Sequence, residues 1–288
     1  MIGLELDEAC AIAVRVDDRG AVQARARVDA GADLAAATAD ALAQVETAPA
    51  DPIGVAATNP DSPAIAAVVS GLGDRAGTSG VVMSGTAAAA AETWIGAAQG
   101  VQDVVFFAVA QHTTGGIVRG GAVIAGTRGR AGSIAWLALN PVEREDYRKT
   151  GCLEAEVAAA GLVRRLIWRI KAGDRSRIQD VVKDDLSLIT VDHLLDAARN
   201  GDGVSISVVR DTAKYLGMAA ANLVVVADPE MLVLGGIMAS AADLLLEPLR
   251  VELARRLPKP MMDALRIETA TLGADAAAIG AARLAARP

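Results

Sequence analysis

The sequence has few aromatic, cysteine and histidine residues, and each shortage excludes a class of protein. Aromatic residues make up 2% of the 288 residues and apolar residues 52%, so a core must be built from Ala, Val, Leu and Ile. Two cysteines (Cys10 and Cys152) and two histidines (His112 and His193) are too few for a disulfide-stapled scaffold or a Cys/His zinc cluster. The sequence therefore predicts a globular protein held together by aliphatic packing.

Positive charge and long apolar runs are scarce as well. The 28 Lys and Arg residues stand against 35 Asp and Glu residues, which gives a net charge of −7. An acidic chain lacks the basic surface from which nucleic-acid binding draws most of its affinity. No apolar run approaches the roughly 20 residues that span a bilayer, and the first residues lack the positive start of a secretory signal. We expect a cytoplasmic protein without direct nucleic-acid or membrane partners.

The order of predicted elements repeats. Alternating apolar residues and an Asp/Gly turn predict an opening three-stranded hairpin unit. The first unit has strands at 2–6, 11–16, 22–28, 52–57 and 81–83 and helices at 30–45, 63–72 and 86–98. The second has extended segments at 104–110, 116–118, 122–124, 131–139, 231–236 and 265–270 and helices at 153–171, 191–198, 205–225, 239–256 and from 275.

Two such units predict two α/β lobes with a cleft between them. We expect the first lobe to cover residues 1–101 and the second to cover 102–273. The last helix, 274–288, is expected to pack back on the first lobe.

Four segments, in order along the chain, resemble motifs of one family. They are residues 115–136 (GGIVRGGAVIAGTRGRAGSIAW), 151–154 (GCLE), 228–236 (DPEMLVLGG) and 271–282 (TLGADAAAIGAA). The pattern is similar to the ROK family, which includes bacterial glucokinase, fructokinase, N-acetylhexosamine kinases and NagC/XylR-type repressors. The resemblance implies a two-lobed actin/hexokinase-like (ribonuclease H-like) ATPase fold and, in its kinase members, ATP-dependent sugar phosphorylation.

The first phosphate loop of the family departs from the pattern. Relatives have Asp-x-Gly-Gly-Thr-Lys, whereas residues 5–10 here read ELDEAC. The resemblance places Asp7 and Glu8 where the γ-phosphate would lie. Like charges about 4 Å apart repel by on the order of 1 kcal/mol in water and more in a cleft. We interpret this segment as a solvated acidic turn.

The second phosphate loop, Gly-Thr-Gly-Ile-Gly-Gly-Gly in relatives, is also reduced. Residues 110–116 read AQHTTGG, so only its last two glycines remain. His112, Thr113 and Thr114 are candidate hydrogen-bond donors to a ligand, while the remaining glycines also suit an ordinary hairpin. The nucleotide-side candidates are Gly115, Gly116, Gly235 and Gly236.

The catalytic base of the family, an Asp, is replaced. The resemblance puts Ser84 at its position, and a hydroxyl of ordinary pKa does not replace a carboxylate base. Losing a general base costs typically 10²–10⁴ in rate. We interpret Ser84 or Thr86 as the N-cap of the following helix.

The family's sugar and zinc motifs are reduced in the same way. The resemblance places Ser133 and Trp136 where relatives have a sugar-binding Glu and a His that also serves zinc. Only Cys152 remains of three zinc-binding cysteines, so we expect no metal. Trp136 is interpreted mainly as packing, with stacking on a sugar as the alternative. Glu154 persists, either as a sugar ligand or as a carboxylate at a helix N-terminus.

Together these losses indicate a ROK-like protein without kinase chemistry, acting as a non-catalytic ligand-binding or regulatory protein. The alternative is an ATP-dependent sugar kinase with a rebuilt active site. Of the two hypotheses, only this one requires Mg-ATP. We expect a sugar-like ligand, no resident cofactor, no zinc and a homodimer.

Overall fold

The computed structural model describes residues 1–46 and 51–286, with ten strands. They are β1 Ile2–Asp7, β2 Cys10–Val16, β3 Val22–Asp29, β4 Ile53–Ala57, β5 Ala76–Met83, β6 Val104–Val109, β7 Thr113–Arg119, β8 Ala122–Val123, β9 Met231–Gly236 and β10 Arg266–Thr269. The strands form two five-stranded sheets in the orders β3-β2-β1-β4-β5 and β10-β9-β6-β7-β8. We call each sheet, with the helices against it, the first and second lobe.

Thirteen α-helices lie in the described residues. They are α1 Leu34–Gln44, α2 Pro63–Leu72, α3 Ser84–Ile95, α4 Glu145–Thr150, α5 Cys152–Val157, α6 Ala159–Lys171, α7 Ile178–Val181, α8 Val191–Arg199, α9 Gly203–Ala227, α10 Ile237–Ser240, α11 Ala242–Ala254, α12 Lys259–Ala264 and α13 Ala276–Ala285. Within the described ranges, none of them combines the length and the apolar character needed to cross a membrane.

The two sheets repeat one topology. In the first, β1 pairs antiparallel with β2 and parallel with β4. In the second, β6 pairs antiparallel with β7 and parallel with β9. Each central strand therefore ends at a tight hairpin turn, and the turns β1–β2 and β6–β7 bring polar residues to the carboxyl ends of β1 and β6. The predicted mixed α/β class is confirmed.

Three predicted elements are wrong. The predicted helix 153–171 is divided into α5 and α6, because Ala158 is extended and the Ala159 amide donates to the Ala110 carbonyl, 3.0 Å away. The predicted helix 239–256 is divided at Ala241. The predicted extended segment 131–139 instead contains a short 3-10 turn at Ile134–Trp136.

The last helix packs by close backbone contact against α3 and the first sheet. A Cβ atom on Gly280 of α13 would lie 1.7 Å from the Ala87 carbonyl oxygen of α3, and one on Gly3 of β1 would lie 1.8 Å from that of Ala278. Small residues at these positions thus allow α13 to lie directly against α3 and the first sheet. The predicted lobe bounds stay predictions, and residues 287 and 288 of the predicted helix 274–288 lie outside the described residues.

Glu92, fully buried near the end of α3, fixes the chain where it passes between the lobes. Its carboxylate accepts hydrogen bonds from the amides of Ala97 at 2.8 Å and of Thr271 and Leu272 at 3.0 Å. Because a buried carboxylate needs such partners, Glu92 ties α3 to the turn that precedes α13.

Candidate functional site

The two hairpin turns meet across the cleft. Asp7 ends β1 in the first lobe, and His112 precedes β7 in the second. The His112 Nε2 atom lies 3.1 Å from Asp7 Oδ2, and its Nδ1 atom lies 3.3 Å from Glu154 Oε1. We call Asp7, His112 and Glu154 the interlobe bridge. It places one imidazole between two carboxylates that come from different lobes.

Asp7 is held by several donors. Its Oδ1 atom accepts from the Ala9 amide at 2.8 Å, and its Oδ2 atom accepts from the Thr58 hydroxyl at 3.2 Å. Burial alone would raise the pKa of Asp7, but hydrogen bonds from His112 and Ala9 hold it below its usual range. Because only 16% of this side chain is exposed, the interpretation of Asp7 as part of a solvated acidic turn is wrong.

Glu154 lies in the first turn of α5 and completes the bridge. Its Oε2 atom accepts from the Thr113 amide at 2.7 Å, while Oε1 faces His112. Hydrogen bonds to Asp7 and Glu154 raise the pKa of His112 to about 10, although burial opposes the rise. The bridge therefore contains an imidazolium at neutral pH, and both of its nitrogens donate.

A second ion pair crosses the same cleft. Arg130, in the loop after β8, donates through Nη2 to Asp61, just before α2. Beside it, the Ser62 hydroxyl donates to Glu8 Oε1 at 2.6 Å. Sequence reasoning offered Asp61 only as a residue of a rebuilt kinase site and did not select Arg130, because an ion pair between residues this far apart depends on how the lobes meet.

Ser84 does not cap α3. The helix begins at Ser84 itself, Met83 is the N-cap residue, and no side chain caps it, so the N-cap interpretation of Ser84 or Thr86 is wrong. Ser84 is 3% exposed, and its hydroxyl has no hydrogen-bond partner of normal geometry within the described ranges. A buried hydroxyl without a partner costs on the order of 1–3 kcal/mol, which marks it as a point for a ligand or water.

Glu5 lies on β1 close to Ser84 and was not among the sequence candidates. Burial raises the pKa of Glu5 to about 7, and Asp7 adds to the rise, while the Ser84 hydroxyl and Arg27 oppose it. The available signal was that Glu5 keeps a carboxylate at the family's loop Asp position. Its carboxyl is thus partly protonated at neutral pH.

Thr113 and Thr114 face opposite sides of β7, since side chains alternate along a strand. Thr113 is 5% exposed, and its hydroxyl, like that of Ser84, has no partner among the residues described. Thr114 pairs with Ala108 in the sheet. Of these two candidates, Thr113 brings an unused hydroxyl to the bridge.

The glycine candidates serve backbone contacts. A Cβ on Gly116 would lie 2.2 Å from the Gly85 carbonyl oxygen, and one on Gly115 would lie 2.8 Å from Ile134. Gly236 has φ of +62°, and a Cβ there would lie 2.0 Å from the Val109 carbonyl oxygen. A Cβ on Gly235 would lie 2.9 Å from the Ala108 side chain and 3.0 Å from the Phe106 ring. Packing accounts for all four glycines without a nucleotide.

Ser133 and Trp136 lie apart from the bridge contacts. The Ser133 hydroxyl donates to the Arg130 carbonyl at 2.8 Å, which closes its own turn. Trp136 is 58% exposed, so its interpretation as packing is wrong.

The family's zinc segment contains an ion-pair cluster here. Tyr147, at one of the lost cysteine positions, donates its hydroxyl to Glu156. Glu156 also pairs with Arg144 at 3.1 Å and with Arg165 at 2.7 Å. These groups do not suit zinc, because two arginines already neutralise the carboxylate and Cys152 is the one thiol nearby. No group of three His, Cys, Asp or Glu residues in the described chain has the arrangement of a metal site.

A family model described as "ROK family" matches residues 64–287. The chain belongs to the ROK family. It is 34% identical over 196 residues to a glucokinase of Halalkalibacterium halodurans, which covers 67% of this chain and 59% of that one. It is 30% identical over 159 residues to the DNA-binding transcriptional dual regulator NagC of Escherichia coli, which covers 55% and 38%. The matches thus span less than two thirds of these relatives.

A solved structure shows the same fold over the whole chain. The ROK family glucokinase from Streptomyces griseus, in complex with glucose and AMPPNP, matches with a TM-score of 0.83 at 23% identity and covers 99% of this chain and 98% of that one. The fold is therefore the two-lobed actin/hexokinase-like fold, and both the predicted fold class and the predicted family are confirmed.

Proposed function

We propose that this chain is a non-catalytic ROK-family protein that binds a sugar-like ligand or acts as a regulatory partner. The interlobe bridge is the observation that supports this most. The imidazolium of His112 already pairs with Asp7, on the reduced phosphate loop, and with Glu154, at the family's sugar-ligand position. A kinase needs these positions free for phosphate and sugar, and here each carboxylate is occupied.

The missing base supports the same proposal. Phosphoryl transfer to a sugar hydroxyl needs a carboxylate that accepts the hydroxyl proton. Ser84 supplies a neutral hydroxyl at that position. Bound nucleotide would also meet Asp7 and Glu8 where relatives offer glycine amides, which bind phosphate through the backbone N–H groups.

Unused hydroxyls support ligand binding. Ser84 and Thr113 each bury a hydroxyl that has no hydrogen-bond partner of normal geometry in the described part of the chain, although the Ser84 hydroxyl lies close enough to Glu5 to lower the pKa of that carboxyl. A polyhydroxylated ligand can both donate to and accept from such groups. The proposed ligand is therefore uncharged and sugar-like, since further negative charge would meet Asp7 and Glu8.

Calorimetry with ATP and adenosine tests the phosphate side. In the wild type we expect adenosine to bind at least as well as Mg-ATP, because Asp7 and Glu8 repel the phosphates. Asp7→Asn/Glu8→Gln should improve ATP relative to adenosine by roughly tenfold. Asp17→Asn/Asp18→Asn, with the same charge change in the distant β2–β3 turn, is the control. Low-micromolar ATP binding in the wild type, unchanged in the double variant, would contradict the proposal.

Thermal unfolding with a panel of hexoses and amino sugars tests the ligand side. A sugar at 100 times its Kd adds about 2.7 kcal/mol of stability, an easily measured rise in Tm. Ser84→Ala and Thr113→Val should each reduce the shift, whereas Thr38→Val, which removes a buried hydroxyl of α1, should leave it unchanged. An equal rise in Tm in all variants would show that these two hydroxyls do not contact the sugar.

The alternative, an ATP-dependent sugar kinase with a rebuilt site, rests on Glu5. Its carboxyl lies near Ser84 and has a pKa of about 7, a value suited to a general base at neutral pH. If sugar-dependent ADP release is found and Glu5→Gln abolishes it, the alternative holds. Homodimer assembly, cytoplasmic location, absence of zinc and absence of direct nucleic-acid or membrane partners stay predictions of the main proposal.

A further inference from the structure

A cavity lies where α3, α13 and the β7–β8 hairpin meet, and none of its described lining residues belongs to the interlobe bridge. It is lined by residues of α3, of the linker 99–102, of the β7–β8 hairpin and of α13, and so touches both lobes. Its volume is about 210 Å³. Ligand pockets for drug-sized molecules measure about 300–1,000 Å³, so the size of this cavity suits a small ion or metabolite.

The one charged side chain in the described lining is Arg283. Its guanidinium lies over the Trp94 ring, 4.8 Å from the ring centre. Its Nε atom is buried without a hydrogen-bond partner, and no ion pair to Arg283 is formed within the described residues. A partly buried cation without an anion is costly, and no other residue described in the cavity lining carries a charge that compensates Arg283.

The geometry restricts what compensates this charge. The Trp94 ring covers one face of the guanidinium, so the N–H groups in its plane remain for hydrogen bonds. These N–H groups form the fork that binds two oxygens of a carboxylate or phosphate. Thr93, Gln99 and Gln102 add neutral polar side chains to the lining, and no carboxylate among the described lining residues repels an anion.

We propose that this cavity is a binding site for a small oxyanion, the carboxylate or phosphate group of a small metabolite, held by Arg283. The site is separate from the interlobe bridge and does not depend on the proposed function. Because its walls come from α3, the linker and both lobes, an anion here stabilises one relative position of the lobes. Ser84 begins the helix whose other end carries Trp94, which connects this cavity physically to the cleft.

Tryptophan fluorescence tests the proposal directly. Trp136→Phe/Trp168→Phe removes the two tryptophans that are 58% and 68% exposed, and leaves Trp94 beside Arg283. This parent is titrated separately with potassium phosphate and sodium acetate at constant ionic strength. We expect a saturable change for at least one anion, with half-saturation at or below about 1 mM. A response to phosphate alone identifies a phosphate ligand, and a response to acetate alone identifies a carboxylate.

Substitutions decide whether Arg283 holds the anion. Arg283→Met should weaken binding at least tenfold, whereas Arg128→Met, at an exposed loop arginine, should leave the midpoint unchanged. If Arg283→Met does not fold, Arg283→Lys keeps the charge but loses the fork and should weaken binding at least threefold. No saturable response in the parent to either anion, or a midpoint that the folded Arg283 variants leave unchanged, would overturn the proposal.

Discussion

The interlobe bridge and the turn at Gly235 and Gly236 lie in one cleft but differ in what their residues do. In the bridge, the family's glycines at positions 7 and 112 are replaced by Asp7 and His112, which pair their charges with each other, while the retained Glu154 pairs with His112. In the turn, the family's glycines are kept, and each is required by a close backbone or side-chain contact. In this molecule, packing explains why the glycines of the turn are retained, whereas the replaced positions show where the chemistry of the site differs from the family pattern.

This contrast also explains why a model of the family matches residues 64–287 although residues 110–114 depart from the family's phosphate loop. The matched segments include strands, hairpins and α13. Glycines in these segments lie so close to neighbouring atoms that an added Cβ atom would lie under 3 Å from them. A larger residue there would break the fold. The bridge positions face the cleft, so they tolerate a change of function.

The largest effect is expected at the retained turn. Gly236→Ala should lower the free energy of unfolding by about 3 kcal/mol, because φ is +62° and the added Cβ would lie 2.0 Å from the Val109 carbonyl oxygen. Gly31→Ala is the matched control, since Gly31 has φ of +53° in open space and should lose only about 1 kcal/mol. Urea unfolding measures both. Equal losses would show that the turn is kept for a reason other than packing.

A smaller effect concerns the pH dependence of stability at Glu5. The folded state raises the pKa of this carboxyl from 4.5 to about 7. The protonated carboxyl is therefore favoured, and its stabilisation is fully present below pH 4.5 and lost as pH rises through 7. Glu5→Gln should remove this loss and be more stable than wild type at pH 8 by on the order of 3 kcal/mol, relative to their difference at pH 4.5.

Urea midpoints between pH 4.5 and 8.5 measure this difference. Glu268→Gln, at an exposed position on β10, is the control and should parallel wild type. If the urea midpoints of Glu5→Gln also follow those of wild type across this pH range, the pKa of the Glu5 carboxyl is not raised by burial in the folded protein.

The smallest stability effect is expected in the bridge itself. The pKa of His112 rises from 6.5 to about 10, so its stabilisation is complete below pH 6.5 and is lost as pH rises through 10. Since 45% of the His112 side chain is exposed, solvent screens the pairs, and His112→Gln should cost about 1 kcal/mol at pH 6.

The charge state of His112 is measurable by NMR. His193→Gln removes the other imidazole and keeps a side chain able to serve the cap at Thr190. The remaining imidazole should stay protonated above pH 8. A midpoint near 6.5 would mean that the bridge is absent in solution.

Local patterns predicted much of the fold, and contacts between distant residues account for the errors. The hairpins follow from alternating apolar residues and Gly/Asp turns, which act within a few positions. The break at Ala158 does not, because it depends on a hydrogen bond from the next amide to Ala110 in another element. A helical pattern alone cannot reveal this.

As with the fold, local motifs predicted some residues of the candidate site, but contacts between distant residues were not predictable from the sequence. His112, Thr113 and Glu154 were found through the family motifs, but the pairing of His112 with Asp7 depends on the approach of the two lobes. Glu5 was missed because the apolar pattern of β1 does not show that this carboxyl lies close to Ser84, and its match to the family's loop Asp was the available signal. Trp136 was misplaced because a large apolar side chain is usually buried, whereas here it lies on a short exposed turn.

Transfer of labelled phosphate from ATP to a panel of hexoses and N-acetylated hexosamines, at saturating concentrations, tests the central claim most directly. The account predicts less than about 0.01 s⁻¹, since the base is lost and both phosphate loops are replaced. Sugar-dependent transfer at about 1 s⁻¹ or faster, an ordinary enzyme rate, would contradict it.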